Sequence, residues 1–210
     1  MSAFITFEGP EGSGKTSQVA SLAEFLKDKG FPVLLTREPG GTEIGDQIRA
    51  VLSSLDNVAM NPRTETLLFL AARAQLVEEV IRTHLAKGWV VLCDRYADST
   101  LAYQGYGHGN DIAQLRTLIE FATGGLTPDI TLLLDIDVEE GLRRRARGGD
   151  WNRLDAYNLA FHQRVRAGYL KLAAEEPGRW VRINAERPAE EVQAAIRQAI
   201  VERLAIEMEN

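Results

Sequence analysis

A doubly wound α/β domain with a parallel sheet is predicted by three features of this 210-residue chain. Five short runs are continuously apolar, which suits strands covered on both faces. Helical apolar spacing fills the intervals between them, as crossovers between parallel strands require. A glycine-rich loop sits between the first run and the first helical pattern. In order, the runs are 3–8, 32–36, 89–94, 130–135 and 180–183. The first helix follows Gly14, with Val19, Leu22, Ala23 and Leu26 on one face and Gly30 as its stop. A long helix is expected from 61 to about 86. Leu154, Phe161, Val165, Tyr169 and Leu172 share a face of another, and Val192, Ile196, Ile200 and Leu204 mark the last. No repeat, low-complexity tract or linker interrupts the pattern, so residues 1–210 read as one domain.

The composition is ordinary for a globular protein, with 45% hydrophobic and 26% charged residues. A net charge of -6 argues against a surface made to bind nucleic acid. A local basic site stays open. Only five of the 24 basic residues are Lys, and the arginine excess has two readings: a planar fork suited to phosphate, or codon usage. Cys93 lies in an apolar run and reads as a reduced core thiol, and the three histidines lack zinc-ligand spacing. The first seven residues do not form a signal peptide, and no run approaches the ~18 apolar residues of a membrane span. No membrane partner is therefore expected, and a cytoplasmic location follows by elimination.

Gly9-Pro10-Glu11-Gly12-Ser13-Gly14-Lys15-Thr16 fits G-x-x-x-x-G-K-[ST], directly after a strand and before a helix. In such a loop the glycines turn backbone N–H groups inward around phosphates and the helix N-terminus adds positive potential. Lys15 then reaches the β- and γ-phosphates of a nucleoside triphosphate, and the Thr16 hydroxyl serves Mg²⁺. Asp94, ending the third strand, is either a second Mg²⁺ holder or a helix N-cap. No N-K-x-D tetrad is present to read guanine, which excludes a switch GTPase, and the chain is short for a motor ATPase. A small-molecule phosphotransferase is the most economical class.

Such an enzyme needs an acceptor site and a means of closing over it. Arg143, Arg144, Arg145, Arg147 and Arg153 crowd around Gly148-Gly149, and read as either a mobile lid or a solvated helix face. On the 61–86 helix, about 100° per residue puts Arg73 only about 40° from Phe69, inside the apolar arc. A buried guanidinium needs a partner, either an acid or a ligand acceptor. An aromatic ring and a cation pointing the same way suit a nucleobase.

The chain resembles bacterial thymidylate kinases along essentially its whole length. The resemblance is carried by the phosphate loop with its preceding Phe7-Glu8, then Thr36-Arg37-Glu38-Pro39-Gly40-Gly41-Thr42, then Phe69-Leu70-Ala71-Ala72-Arg73. Asp94-Arg95-Tyr96, Ser99-Thr100-Leu101-Ala102-Tyr103-Gln104-Gly105 and Pro128-Asp129 complete it. Adenylate and shikimate kinases share the loop but not the other segments.

The resemblance implies a fold like that of the nucleoside monophosphate kinases, five parallel strands with helices on both faces and a short arginine-rich lid at about 143–153. It implies phosphorylation of dTMP to dTDP with ATP and Mg²⁺, usually in a homodimer. Phe69 would stack on thymine and Arg73 would bond its O4. Thr100, with Ser99 or Gln104, would meet the base edge, and Tyr103 would lie where a ribose 2′-hydroxyl would clash. Arg95 would hold the dTMP phosphate, with Arg37 and Arg49 as further candidates. Glu11 would face the 3′-hydroxyl or organise Mg²⁺ and water. Because Gly12 follows Glu11 in the phosphate loop, the catalytic arginine is expected from the lid, with Arg147 and Arg153 preferred. The alternatives are a deoxynucleoside kinase, sharing the loop but accepting a free hydroxyl, and a nucleotide-binding regulator without turnover.

Overall fold

The computed structural model describes residues 2–148 and 151–205; Gly149 and Asp150 of the expected lid lie outside the described residues. The elements run β1 (Ala3–Glu8), α1 (Lys15–Asp28), β2 (Val33–Arg37), α2 (Glu43–Ser53), α3 (Pro62–Leu76), a π-helical turn (Val77–Ile81) and α4 (Arg82–Leu85). They continue with β3 (Val90–Asp94), α5 (Ala97–Thr100), a second π-helical stretch (Leu101–Gly107), α6 (Ile112–Thr123), β4 (Ile130–Asp135), α7 (Val138–Arg147), α8 (Leu159–Glu175), β5 (Trp180–Asn184) and α9 (Ala189–Leu204). Each expected strand matches an observed one to within one residue at either end.

The sheet order is β2-β3-β1-β4-β5, and every pairing is parallel. Successive side chains of a strand point to opposite faces. Ile5 and Phe7 of β1 therefore pack with α1 and α9 through Leu22, Leu26 and Ile196, while Phe4 turns to the other face against Leu76, Val77 and Ile81. On that second face α8 adds Phe161, Val165 and Tyr169 beside Leu133 of β4. β1 is the middle strand, so the loop leaving its C-terminal end lies between the ends of β3 and β4.

Two expectations are corrected. The helix from 61 to 86 is not uniform: it widens at Val77–Ile81, so the 100° step stops holding there. Leu154 precedes α8, which starts only where Asn158 caps it by accepting from Phe161 N at 2.9 Å. Ala72 and Ile81 of the 61–86 segment are fully inside the domain's own core. Cys93 is buried as expected; burial and the nearby carboxylate of Glu38 push its thiol up.

Candidate functional site

The phosphate loop is built on positive φ angles at Gly9 (142°), Gly12 (68°) and Gly14 (87°), open to glycine without strain. A Cβ on Gly12 would overlap the carbonyl oxygen of Gly141, so α7 rests directly on the loop. The Lys15 ammonium donates to Gly9 O (3.1 Å), Pro10 O (2.8 Å) and Ser13 Oγ (3.1 Å), all of them groups of its own loop. Burial, with the Arg95 charge added, pulls it down to about 8. One residue on, Thr16 Oγ1 donates to Asp94 Oδ2 at 2.7 Å. Thr16 and Asp94 thus set a hydroxyl and a carboxylate side by side at the mouth of the loop. These hard oxygen donors suit Mg²⁺, which keeps much of its water shell.

β3 delivers the next group. Phe7 pairs with Asp94 in register, and Arg95 N continues the ladder to Phe7 O at 2.9 Å. The chain then turns sharply, with Arg95 at a φ of 71°. A non-glycine residue in this region persists only when its surroundings hold it there. They do so here through the Arg95 guanidinium: Nη1 donates to Gly9 O (3.1 Å) and Tyr169 OH (3.2 Å), and Nη2 to Glu11 Oε1 (2.9 Å) and Tyr103 OH (3.1 Å). Tyr103 OH also donates to Glu11 Oε1 at 2.7 Å. Burial alone would raise the Glu11 carboxyl, but Arg95 and Lys15 outweigh it and hold it at about 2.

Farther along stands the group that the helix geometry singled out. Arg73 is 1% exposed and faces Glu38, which accepts from Nε at 2.8 Å and from Nη2 at 2.5 Å. Nη2 also donates to Tyr96 O (3.0 Å) and Nη1 to Thr100 Oγ1 (2.8 Å). Burial would lower the guanidinium; the carboxylate of Glu38 reverses this and raises it. The partner is thus a buried acid, and five guanidinium hydrogens against four bonds leave one on Nη1. Gln104 donates to Glu65 Oε1 at 2.8 Å.

These parts line one cleft of about 920 Å³. Glu11, Gly12, Gly14, Lys15, Thr16 and Asp94 border it, followed by Arg37, Arg49, Arg95, Ser99 and Tyr103, then Phe69, Thr100 and Gln104. Arg49 also holds Pro39 O at 2.9 Å, and Arg37 lies 3.6 Å from Asp46. Arg73 stands behind the lining.

The arginine cluster divides. Arg143 and Arg144 pair with Glu140, and Arg144 also holds Ala185 O. Of the two preferred arginines, Arg147 is exposed at the end of α7, and Arg153 is buried, ion-paired to Glu65 at 2.6 Å and bonded to Leu52 O and Tyr157 OH. Neither lines the cleft; Arg145 does, with its Nε on both oxygens of Asp155 at 3.0 and 3.1 Å. A count of arginines in sequence could not separate these, because the sorting depends on which turn of α7 faces the loop.

The family profile described as thymidylate kinase matches residues 7–196. This chain belongs to the thymidylate kinase family. It is 55% identical to a protein of Roseiflexus castenholzii named thymidylate kinase, over 96% of this chain and 93% of that protein. With one so named from Geotalea uraniireducens the identity is 50%, covering 98% and 99%. A crystal structure of thymidylate kinase from Ehrlichia chaffeensis superposes with a TM-score of 0.79 at 33% identity, covering 95% of this chain and 98% of that one. Within the thymidylate kinase frame, the residues that the sequence reading passed over are the acids: Glu8, Glu38, Glu65 and Asp155, each buried against cations or hydroxyls. Glu8 and Glu38 stand in the quoted motifs, where a charged residue at the end of an apolar strand or directly before a proline was the available signal.

Proposed function

We propose that this chain transfers the γ-phosphoryl group of ATP to the phosphate of dTMP, yielding ADP and dTDP. The observation that carries the reading is the single cleft. It is lined by the phosphate loop with Lys15, by an aromatic ring with Thr100 and Gln104, and by Arg95, which bonds the loop at Gly9 O and Glu11 and also Tyr103 OH. A donor phosphate chain and an acceptor nucleotide meet at Arg95.

In this reading the phosphate loop and Lys15 grip the donor phosphates, and Lys15 exchanges its loop carbonyls for phosphate oxygens. Thr16 and Asp94 would hold Mg²⁺, which neutralises charge on the donor phosphates. Arg95, with Arg37 and Arg49, holds the acceptor phosphate, whose oxygen attacks in line. A phosphate monoester is already ionised near neutral pH, so no general base is needed. Phe69 stacks on the base, Thr100 and Gln104 meet its edge, and Arg73 reaches it with its remaining Nη1 hydrogen. Tyr103, held on Glu11, fills the space a 2′-hydroxyl would need. Arg145 takes the role of lid arginine in place of Arg147 and Arg153. Catalysis is then positioning and charge stabilisation.

A coupled assay offering ATP with dTMP, dUMP or thymidine tests the reading. The expected order is dTMP first, then dUMP at about 10- to 200-fold lower kcat/KM, since one methyl group separates them. Turnover of thymidine but not dTMP would make the chain a deoxynucleoside kinase, and ATP binding without turnover a regulator.

Gly12→Ala tests the loop. The added Cβ would strike the Gly141 backbone and sit at a φ of 68°, so α7 and the loop must move apart. Displacements near 1 Å cost on the order of 10²-fold, and kcat/KM for ATP should fall by about that much. A steady-state titration of ATP at saturating dTMP reads it.

The homodimer belongs to the same reading. Leu67 on α3 is 58% exposed, Phe121 on α6 is 89% exposed, and the neighbouring α2 presents Ile44 and Val51. Burying such a face in a second copy removes it from water. Among the described residues no helix is long and apolar enough to cross a membrane, and the proposed reaction is one of the cytoplasm.

A further inference from the structure

We propose that Glu8 is a positioning residue for Arg95, acting through the hydroxyls of Ser99 and Tyr169. This rests on the reading that Arg95 holds the acceptor phosphate. Glu8 ends β1, has no exposed surface and is not itself part of the cleft lining, which it meets from behind at Ser99. Its Oε1 accepts from Tyr96 N at 2.8 Å, fixing the peptide just after the positive-φ turn at Arg95. Its Oε2 accepts from Ser99 Oγ at 2.6 Å and from Tyr169 OH at 2.8 Å. On their other side the same two hydroxyl oxygens face Arg95 Nη1, at 3.4 Å and 3.2 Å.

The chemistry of the donors fixes the direction of the chain. A guanidinium only donates, so each hydroxyl must turn a lone pair toward Arg95 and its proton away. The two hydroxyls also face each other at 2.8 Å, but Glu8 Oε2 is within reach of both, at 2.6 and 2.8 Å, and an ionised carboxylate, which only accepts, draws both protons. Glu8 thereby sets the polarity of both hydroxyls and, from the backbone side, the turn that aims the guanidinium. A protonated Glu8 becomes a donor and reverses one link: that hydroxyl must turn its own proton elsewhere, and its lone pair is no longer fixed on Nη1.

The surroundings place this reversal within reach of ordinary pH. Burial raises the Glu8 carboxyl most, Asp98 on α5 raises it further, and Arg95, Ser99 and Tyr169 lower it, leaving it at about 7. Lys15 from α1 and Arg73 from α3 also feel its charge, as does Cys93 on β3. The ionised, Arg95-supporting form is therefore present above about 7 and lost as pH falls through that value. The acceptor nucleotide's own phosphate titrates lower, near ~6.

Glu8→Gln separates these effects, because its amide keeps a carbonyl for Tyr96 N but presents N–H groups to the two hydroxyls. Expected is a rise in KM for dTMP of about tenfold, with KM for ATP within about twofold and a KM-pH profile that has lost the inflection near ~7 while keeping the one near ~6. Glu8→Asp, which keeps the charge, should restore the upper inflection. An unchanged KM for dTMP, a retained upper inflection in Glu8→Gln, or equal loss toward both nucleotides with a lowered Tm would each overturn the assignment. If Glu8→Gln fails to fold, Tyr169→Phe breaks the relay at its other end. It should raise KM for dTMP selectively by about threefold to tenfold, and equal effects on both nucleotides would count against the relay. Arg95→Ala in the same assay separates the two levels. Without an effect on dTMP it removes the acceptor-site reading itself, whereas a strong effect beside a silent Glu8→Gln removes only the relay.

Discussion

Arg145→Ala is expected to lower kcat by about 10³-fold or more while leaving KM for dTMP within a few-fold, because a well-placed arginine on a transferring phosphoryl group contributes 10³ to 10⁵ in rate. The expectation comes from placement. Arg145 is in the last turn of α7, which rests on the phosphate loop through Gly141, and it is the arginine of the cluster that lines the cleft. Its charge also lowers the Glu11 carboxyl, placing it within electrostatic reach of the loop. Asp155 holds Nε on both oxygens, which limits the rotamers the side chain loses on closing over a phosphate. The control is Arg153→Ala. Arg153 bonds Glu65, Leu52 O and Tyr157 OH out of contact with the cleft, so its loss should lower Tm before it lowers kcat. Arg147→Ala should leave both near wild type. Single-turnover quench-flow separates chemistry from product release. A kcat unchanged in Arg145→Ala, with a large drop in Arg147→Ala, would return the lid role to the residue first preferred.

How much of this was legible in the sequence depended on whether a residue's job is local. The five strands were read to within a residue because continuous apolar runs report burial on both faces, and the parallel sheet follows from the helices between them. The phosphate loop was legible because its glycines, Lys15 and Thr16 act within eight consecutive positions. Arg73 was legible as buried from its place on the helical wheel, but its partner was left open between an acid and a ligand. The answer, Glu38, is 35 residues away, with α2 between them in the chain. The arginines of the 143–153 cluster were not separable for a related reason. Arg145 and Arg153 are eight positions apart, and it is the packing of α7 on the loop and of Glu65 beneath Tyr157 that gives them different surroundings. The π-helical widenings at Val77–Ile81 and Leu101–Gly107 left no mark in the pattern, since one extra residue in a turn does not alter composition. The second carries Tyr103 and Gln104, two of the proposed substrate contacts, and such widenings recur at functional sites.

Arg73→Met should do two separable things. It leaves Glu38 as a buried carboxylate without its cation, and breaking a buried pair in this way costs about 3–5 kcal/mol. For a domain of this size that corresponds to a fall in Tm of roughly 10 °C. It also removes the Nη1 hydrogen proposed to reach the base, and with it the bond that orients Thr100, so KM for dTMP should rise by on the order of 10²-fold with KM for ATP little changed. The double variant Glu38→Gln with Arg73→Met distinguishes the two. It removes the uncompensated charge, so most of the lost Tm should return, because a neutral amide no longer demands a counter-ion. If Arg73 serves only as the partner of Glu38, binding of dTMP should return with the stability. If it reads the base, KM stays high in a protein that melts near the wild-type temperature. Base reading by Arg73 requires the second result: a guanidinium bonded on one side by Glu38 and Tyr96 and on another by Thr100 has its remaining hydrogen held in a fixed direction before any ligand arrives.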